Sequence, residues 1–217
     1  MDLLYGYFFY YIAALIGISI GYHRYFTHRT FTTSPRLEML MLFFGLICGG
    51  RSALTWAAVH RMHHAKSDTE HDPHSPKYKG MWTVISSNWR VDYIPRKYIV
   101  DLIKNPRVVF FHKYGKYIHI LYAGAMLLGG IDMFITFVVV PYVLAWLGFG
   151  MLNYFAHRHG EPTDVPLLNF IAPGEGWHNQ HHLKPMSTRL HKYDIAGVII
   201  ERFFIKSESG NKNNSST

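Results

Sequence analysis

Two histidine triplets constrain this chain more than any other feature in it. His60, His63 and His64 stand in His-Arg-Met-His-His, and His178, His181 and His182 in Glu-Gly-Trp-His-Asn-Gln-His-His. In each, offsets of zero, three and four set the imidazoles along one stripe of a helix. Neutral imidazole is the commonest metal ligand and suits iron, zinc and copper. Two such stripes in a chain of 217 residues call for a fold that brings two helices together around metal.

The apolar segments limit how that can happen. The chain is 49% hydrophobic, yet its mean hydropathy is near zero. That mixture suits a few long apolar segments joined to a polar, histidine-rich remainder. Residues 3 to 22 form an uncharged run of span length. Asp2 stands where a secretory leader carries basic residues, and no clear small-residue cleavage site follows, so a membrane helix is expected. Arg24 and Arg29 come after it and place its C-terminal end in the cytoplasm.

Residues 37 to 59 are apolar again, interrupted by Gly45, Gly49, Gly50 and Arg51. A full crossing here would leave the first two histidine groups on opposite faces of the membrane. A shared site requires a re-entrant or interfacial segment, covered by protein where it lies at membrane depth. The stretch from Lys66 to Lys116 is polar and basic, with breaks at Pro73, Pro76, Pro95 and Pro106. It reads as a cytoplasmic loop, compatible with docking an acidic electron carrier.

Residues 117–131 and 133–156 read as a membrane hairpin turning at Gly129-Gly130, with Pro141 kinking the second limb. Lys113, Lys116 and Arg158 keep both its ends cytoplasmic. Tyr193 to Ile205 has helical amphipathic spacing, and residues 207–217 are expected to be a disordered tail. The expected fold is all-α. It is a single multi-pass membrane domain over residues 1–206, with its histidine-rich cap on the cytoplasmic side.

The net charge of +8 accompanies no nucleic-acid-binding motif, so no nucleic-acid partner is expected. The lone Cys48 allows no disulfide framework and is expected to be a small buried hydrophobe.

Further histidines join the triplets. His23 and His28 are five apart, roughly 140° around a straight α-helix, so they converge only if the helix ends or bends between them, or if they embrace a site from two sides. Asn153 and His157 are four apart and share a helix face. His23, His28, His60, His63, His64, His157, His178, His181 and His182 are then nine candidate ligands, too many for one zinc and suited to two metals. Asn153 is a poor direct ligand and is expected to hold a metal-bound water. His71 and His74 read as hydrogen-bonding loop residues, and His112, His119, His159 and His191 as surface or interfacial ones.

His-Arg-Tyr-Phe-Thr-His at 23–28, His-Arg-Met-His-His followed by Asp-Pro-His, Asn153 with His157, and Gly-Glu-Gly-Trp-His-Asn-Gln-His-His, taken in order, resemble the membrane fatty acyl desaturases of the delta-9 type. The resemblance implies a di-iron centre held by the nine histidines, with Asn153 at a metal-bound water. It implies dioxygen as co-substrate and a cis double bond in a saturated acyl chain threaded into an enclosed tunnel. Trp56 resembles a tunnel-wall residue.

The chain also departs from the family pattern. One apolar span precedes His23 where the family has a hairpin, so either the chain is a short variant or its tunnel is expected to be completed differently, as by another subunit. Ala58 and Val59 replace the Arg-Asp pair that contacts CoA in animal members, which favours an acyl-lipid substrate. No cytochrome b5 domain is fused to the chain, so the expected donor is separate, a ferredoxin or similar small carrier. Two other readings stand beside this one. They are a di-iron hydroxylase or ketolase of the same superfamily, and a non-enzymatic membrane metal-binding protein.

Overall fold

The computed structural model describes residues 3 to 206; the tail expected over 207–217 lies outside them. Helices dominate, in the order α1 (Leu3–Ala14) running straight into a π segment (Leu15–Thr27), then α2 (Pro35–Ile47) and α3 (Ala53–Lys66). Short helices α4 (Pro76–Lys79) and α5 (Met81–Ile85) precede the long α6 (Pro106–Leu128). Then α7 (Ile131–Phe134), a second π segment (Ile135–Val139) and α8 (Val140–His157) form one continuous rod. Two last helices, α9 (His178–Leu183) and α10 (Ile195–Phe203), close the fold. Among the described residues one antiparallel ladder pairs β1 (Phe31–Thr32) with β2 (Ile205–Lys206).

Two rods, Leu3–Thr27 and Ile131–His157, are long and apolar enough to cross a membrane. The first continues five residues past Tyr22, carrying His23 inside it. The apolar stretch 37–59 is a helical hairpin, α2 and α3, turning at residues 48–52. Ser34 and Ser52 accept N-cap hydrogen bonds from Leu37 N–H and Thr55 N–H, and Pro35 stands at the start of α2, where its missing N–H costs nothing.

The basic stretch ending at Lys116 is not a loop throughout. Asn105 caps α6, and Pro106 opens it rather than breaking it, so Arg107, Lys113 and Lys116 lie on its first turns. Lysine and arginine are good helix formers. The hydropathy change at 117 therefore marks a change of surroundings within one helix.

Helix α2 packs antiparallel along the first π segment. A Cβ on Gly17 would run into the backbone of Phe44 and Gly45, and one on Gly45 would meet the Tyr22 ring. Bare backbone on both sides is what lets the two helices touch. Around this contact Leu15, Ile20, Tyr22, Met41, Leu42 and Leu46 form the main core, which reaches α3, α6 and α10.

The second π segment ends just before Pro141. A proline in a helix leaves the carbonyl four residues back without its donor, and that carbonyl belongs to Phe137. Tyr122 of α6 donates its hydroxyl to it at 2.8 Å, which ties the two limbs of the hairpin together.

Gly17→Ala is expected to destabilise the fold by about 1–3 kcal/mol through overpacking, a fall of roughly 5 °C in melting temperature. Thermal unfolding of detergent-purified protein measures it, and an unchanged midpoint would contradict the contact.

Candidate metal centre

The π segment resolves the awkward spacing of the first histidine pair. In a π-helix the backbone bonds run from i to i+5, which stacks residues five apart instead of splaying them. His28 N–H donates to His23 carbonyl at 3.2 Å, and the two rings lie 5.1 Å apart. Arg61, within the second histidine box, secures the end of this segment. Its guanidinium donates to the carbonyls of Phe26 at 2.7 Å and Thr27 at 3.1 Å. It also grips Asp101 in a two-pronged ion pair of 2.7 and 2.9 Å.

All nine histidines converge, and each triplet is divided between two groups. On α3, His60 and His64 turn to one group and His63 to the other. On α9, His181 joins the first, while His178 and His182 join the second. In the first group His181 Nε2 lies 2.9 Å from that of His23, 3.3 Å from His60 and 2.7 Å from His64. His28 completes it. In the second, His157 Nε2 lies 3.2 Å from that of His63 and 2.8 Å from His178, and His182 is 3.1 Å from His178. The groups adjoin where His64 stacks on His182 at 4.4 Å.

Carboxylates stand behind the rings. Glu175 Oε2 is 2.6 Å from Nδ1 of His23, Asp72 is 3.0 Å from Nδ1 of His63, and Asp68 is 2.9 Å from Nδ1 of His157. A carboxylate at Nδ1 keeps the proton there and leaves the Nε2 lone pair facing inward. Burial first, and then the neighbouring imidazoles, push His60, His63, His178 and His181 well below the usual histidine range, with His64 at about 3 and His182 at about 2. Burial thus disfavours the charged form of these six rings.

Glu175 belongs to a wider buried network. Ser19 donates to it at 2.5 Å, and Arg24 bridges it at 3.3 Å to Asp194 at 3.0 Å. Burial would raise the Glu175 carboxyl, but His23, Arg24 and Ser19 outweigh it and hold it below its ordinary value. Arg24, read from sequence as a charge flanking a membrane helix, is 2% exposed and serves this network instead.

Asn153 and Trp56 both line a cavity of 180 Å³ beside the first group. Its walls come from the α2–α3 turn, α3, α8 and the loop carrying Ser87 and Trp89. Trp56 stacks on His60 at 4.9 Å. Asn153 lies one turn before His157 on α8.

Sequence reasoning missed the carboxylates at Asp68 and Asp72 and the placement of His74. His74 is buried, lines the cavity and stacks on His63 at 4.3 Å, and its N–H donates to Asp72 at 3.1 Å. The available signal was chemical: a buried ligand imidazole needs an acceptor on its other nitrogen, and two aspartates follow the second box closely. His71 is exposed. His112 bonds Ser52 Oγ at 2.8 Å, and His191 stacks on Trp177 at 3.8 Å.

A family model described as fatty acid desaturase matches residues 3–207. The chain belongs to the fatty acid desaturase family. It is 30% identical over 197 residues to the sn-1 stearoyl-lipid 9-desaturase of Anabaena variabilis, covering 83% of this chain and 71% of that one. It is 29% identical to Delta-9 acyl-lipid desaturase 2 of Arabidopsis thaliana, covering 91% and 70%. The Acyl-CoA Delta(11) desaturase of Trichoplusia ni is 29% identical, covering 80% and 56%. This desaturase is accordingly an oxidoreductase of fatty acyl chains, and its histidine groups suit metal binding.

Asp68 has φ +60°, a conformation asparagine tolerates. Asp68→Asn is therefore expected to keep the fold while lowering metal affinity about 10- to 100-fold. Chelator competition on the purified protein measures this; undiminished affinity would contradict the role.

Burial would raise Asp101, but the bonds from Arg61 and Arg29 outweigh it and hold it at about 2, against an ordinary 3.8. Its stabilising contribution is complete above the ordinary value and is lost as pH falls through about 2. In Asp101→Asn, acid unfolding is expected to lose this component of its pH dependence below 3.8.

Proposed function

We propose that this desaturase introduces a cis double bond at the delta-9 position of a saturated, lipid-linked acyl chain, using dioxygen and two electrons. The observation that carries the reading is the division of nine inward-facing imidazoles into two adjoining groups beside a largely apolar cavity lined by His60 and Asn153. With carboxylates at Nδ1 of His23, His63 and His157, ring Nε2 atoms about 3 Å apart turn lone pairs toward one another, an arrangement that a cation between them relieves. His28 Nε2, buried with no hydrogen-bond partner, fits an open ligand position. The donor set, all nitrogen and without thiolate, suits iron.

The first group would hold one iron through His23, His28, His60, His64 and His181. The second would hold another through His63, His157, His178 and His182, with Asn153 orienting water. A pair of irons bound there supplies the oxygen-activating chemistry. One dioxygen, two electrons and two protons, with two hydrogens from adjacent methylenes, yield two waters and the alkene.

The protein's own groups do the rest. Asp68, Asp72 and Glu175 keep protons on Nδ1. Trp56, Val59 and Phe149 line the path of an alkyl chain and limit water around it. Ala58 and Val59 are buried and apolar, which supports a lipid-linked substrate over acyl-CoA.

The exposed apolar residues Leu4, Phe8 and Ile12 on α1, Leu121 and Leu128 on α6, and Val143 and Leu147 on α8 support a bilayer position. Lys113, Lys116 and Arg158 support a cytoplasmic histidine cap. Exposed Arg90, Arg96, Lys97 and Lys104 suit an acidic carrier such as ferredoxin as electron donor.

His178→Ala and His181→Ala are expected to abolish desaturation while membrane insertion persists; turnover in either variant would disprove the ligand assignment. Expressed in a desaturase-deficient host fed saturated chains, the wild type should give products lighter by two hydrogens. Products heavier by one oxygen would identify a hydroxylase instead.

A further inference from the structure

We infer that Arg51 anchors the phosphate of a phospholipid headgroup, fixing where along the acyl chain the double bond falls. The inference rests on the desaturase reading and extends it to the substrate's polar end. Arg51 is the one permanently charged side chain lining the cavity among the described residues, and no carboxylate lines it with Arg51. Its guanidinium has no ion-pair or hydrogen-bond partner among the described residues. It is exposed, so an incoming anion can reach it.

Its backbone is held for the purpose. Arg51 has φ +57°, a conformation that strains a side-chain-bearing residue and persists only where the surroundings impose it. Tyr22, fully buried, donates its hydroxyl to the Arg51 carbonyl at 3.0 Å. Gly49 beside it has φ +81°, and a Cβ there would strike the Tyr142 ring of α8. The turn therefore approaches α8 closely, and half-exposed Tyr142 and Trp146 stand at this end of the cavity. Guanidinium is the side chain best matched to phosphate, which it can bind through paired hydrogen bonds.

The spacing gives the anchor a consequence. Ser52 caps α3 and His60 lies eight residues along it, about 12 Å at 1.5 Å per residue. That is the order of the distance from the ester carbon to the ninth carbon of an extended acyl chain. A headgroup held at Arg51 would bring that stretch of the chain to the histidines.

The test compares distearoyl phosphatidylglycerol with an uncharged distearoyl galactolipid, and stearoyl-CoA as a third substrate, using metal-loaded protein in lipid nanodiscs. The ratio of kcat/KM for phosphatidylglycerol to that for galactolipid is expected to fall about tenfold in Arg51→Gln and to be largely kept in Arg51→Lys. Binding is read separately, by quenching of tryptophan fluorescence with the same two lipids carrying brominated chains, since Trp56, Trp89 and Trp146 line the cavity. The affinity ratio should shift by the same factor. Ratios unchanged within twofold in Arg51→Gln would overturn the anchor, as would a loss confined to stearoyl-CoA. If the wild type desaturates none of the three, the desaturase reading fails, and the quenching ratio alone decides whether Arg51 binds phosphate.

Discussion

Glu175 is the point on which the histidine cap turns. It is 5% exposed, and it meets His23, Arg24 and Ser19 from a position about 150 residues later in the chain. A buried carboxylate without partners would be costly, and so would a buried guanidinium. Each is stable only because the other is there, and Asp194 completes the balance around Arg24. Removing Arg24 would leave both carboxylates without their guanidinium partner in the interior. The network therefore acts as an assembly condition: the first and third histidine boxes are either both in place or both lost.

The π segment is the second condition. Its i-to-i+5 bonding is rare and is found mostly at functional sites. Here it has an identifiable purpose, because only that winding stacks His23 and His28. Arg61 and Thr30 stabilise its end: Arg61 donates to the carbonyls of Phe26 and Thr27, and Thr30 N–H donates to Arg24 carbonyl at 3.0 Å. The segment also needs the α2 contact at Gly17 and Gly45, which holds it over two turns. Packing with α2 and bonding at the His28 end together offset the cost of an unusual helix.

The helices and a histidine arrangement suited to metal were legible because both rest on local spacing. Offsets of three and four mark a helical stripe, and Ser34-Pro35 and Asn105-Pro106 mark helix starts. The family was legible because the wording of the boxes is specific. What could not be read came from long-range pairing. Arg24 looked like a flanking charge, since nothing near it in sequence foretells Asp194 or Glu175. His23 and His28 looked poorly matched because α-helical winding was the natural assumption. Asp68 and Asp72 looked like loop acids, and His74 like a loop histidine, until the fold set them behind His157 and His63. The start of α6 was misplaced because hydropathy reports surroundings, whereas helix ends are reported by caps.

The division of each triplet between two groups has one more consequence. Helices α3 and α9 each contribute to both groups, so neither group belongs to a separate rigid body. Their separation is set by the angle between neighbouring positions on α3 and on α9, two rulers cut to the same pitch. Loop movement, domain closure or bilayer thickness can shift the whole cap, but none can change the gap between its two halves without unwinding a helix. The spacing of the pair is thus inherited from backbone geometry, and substrate differences across the family have to be sought in the cavity that leads to it.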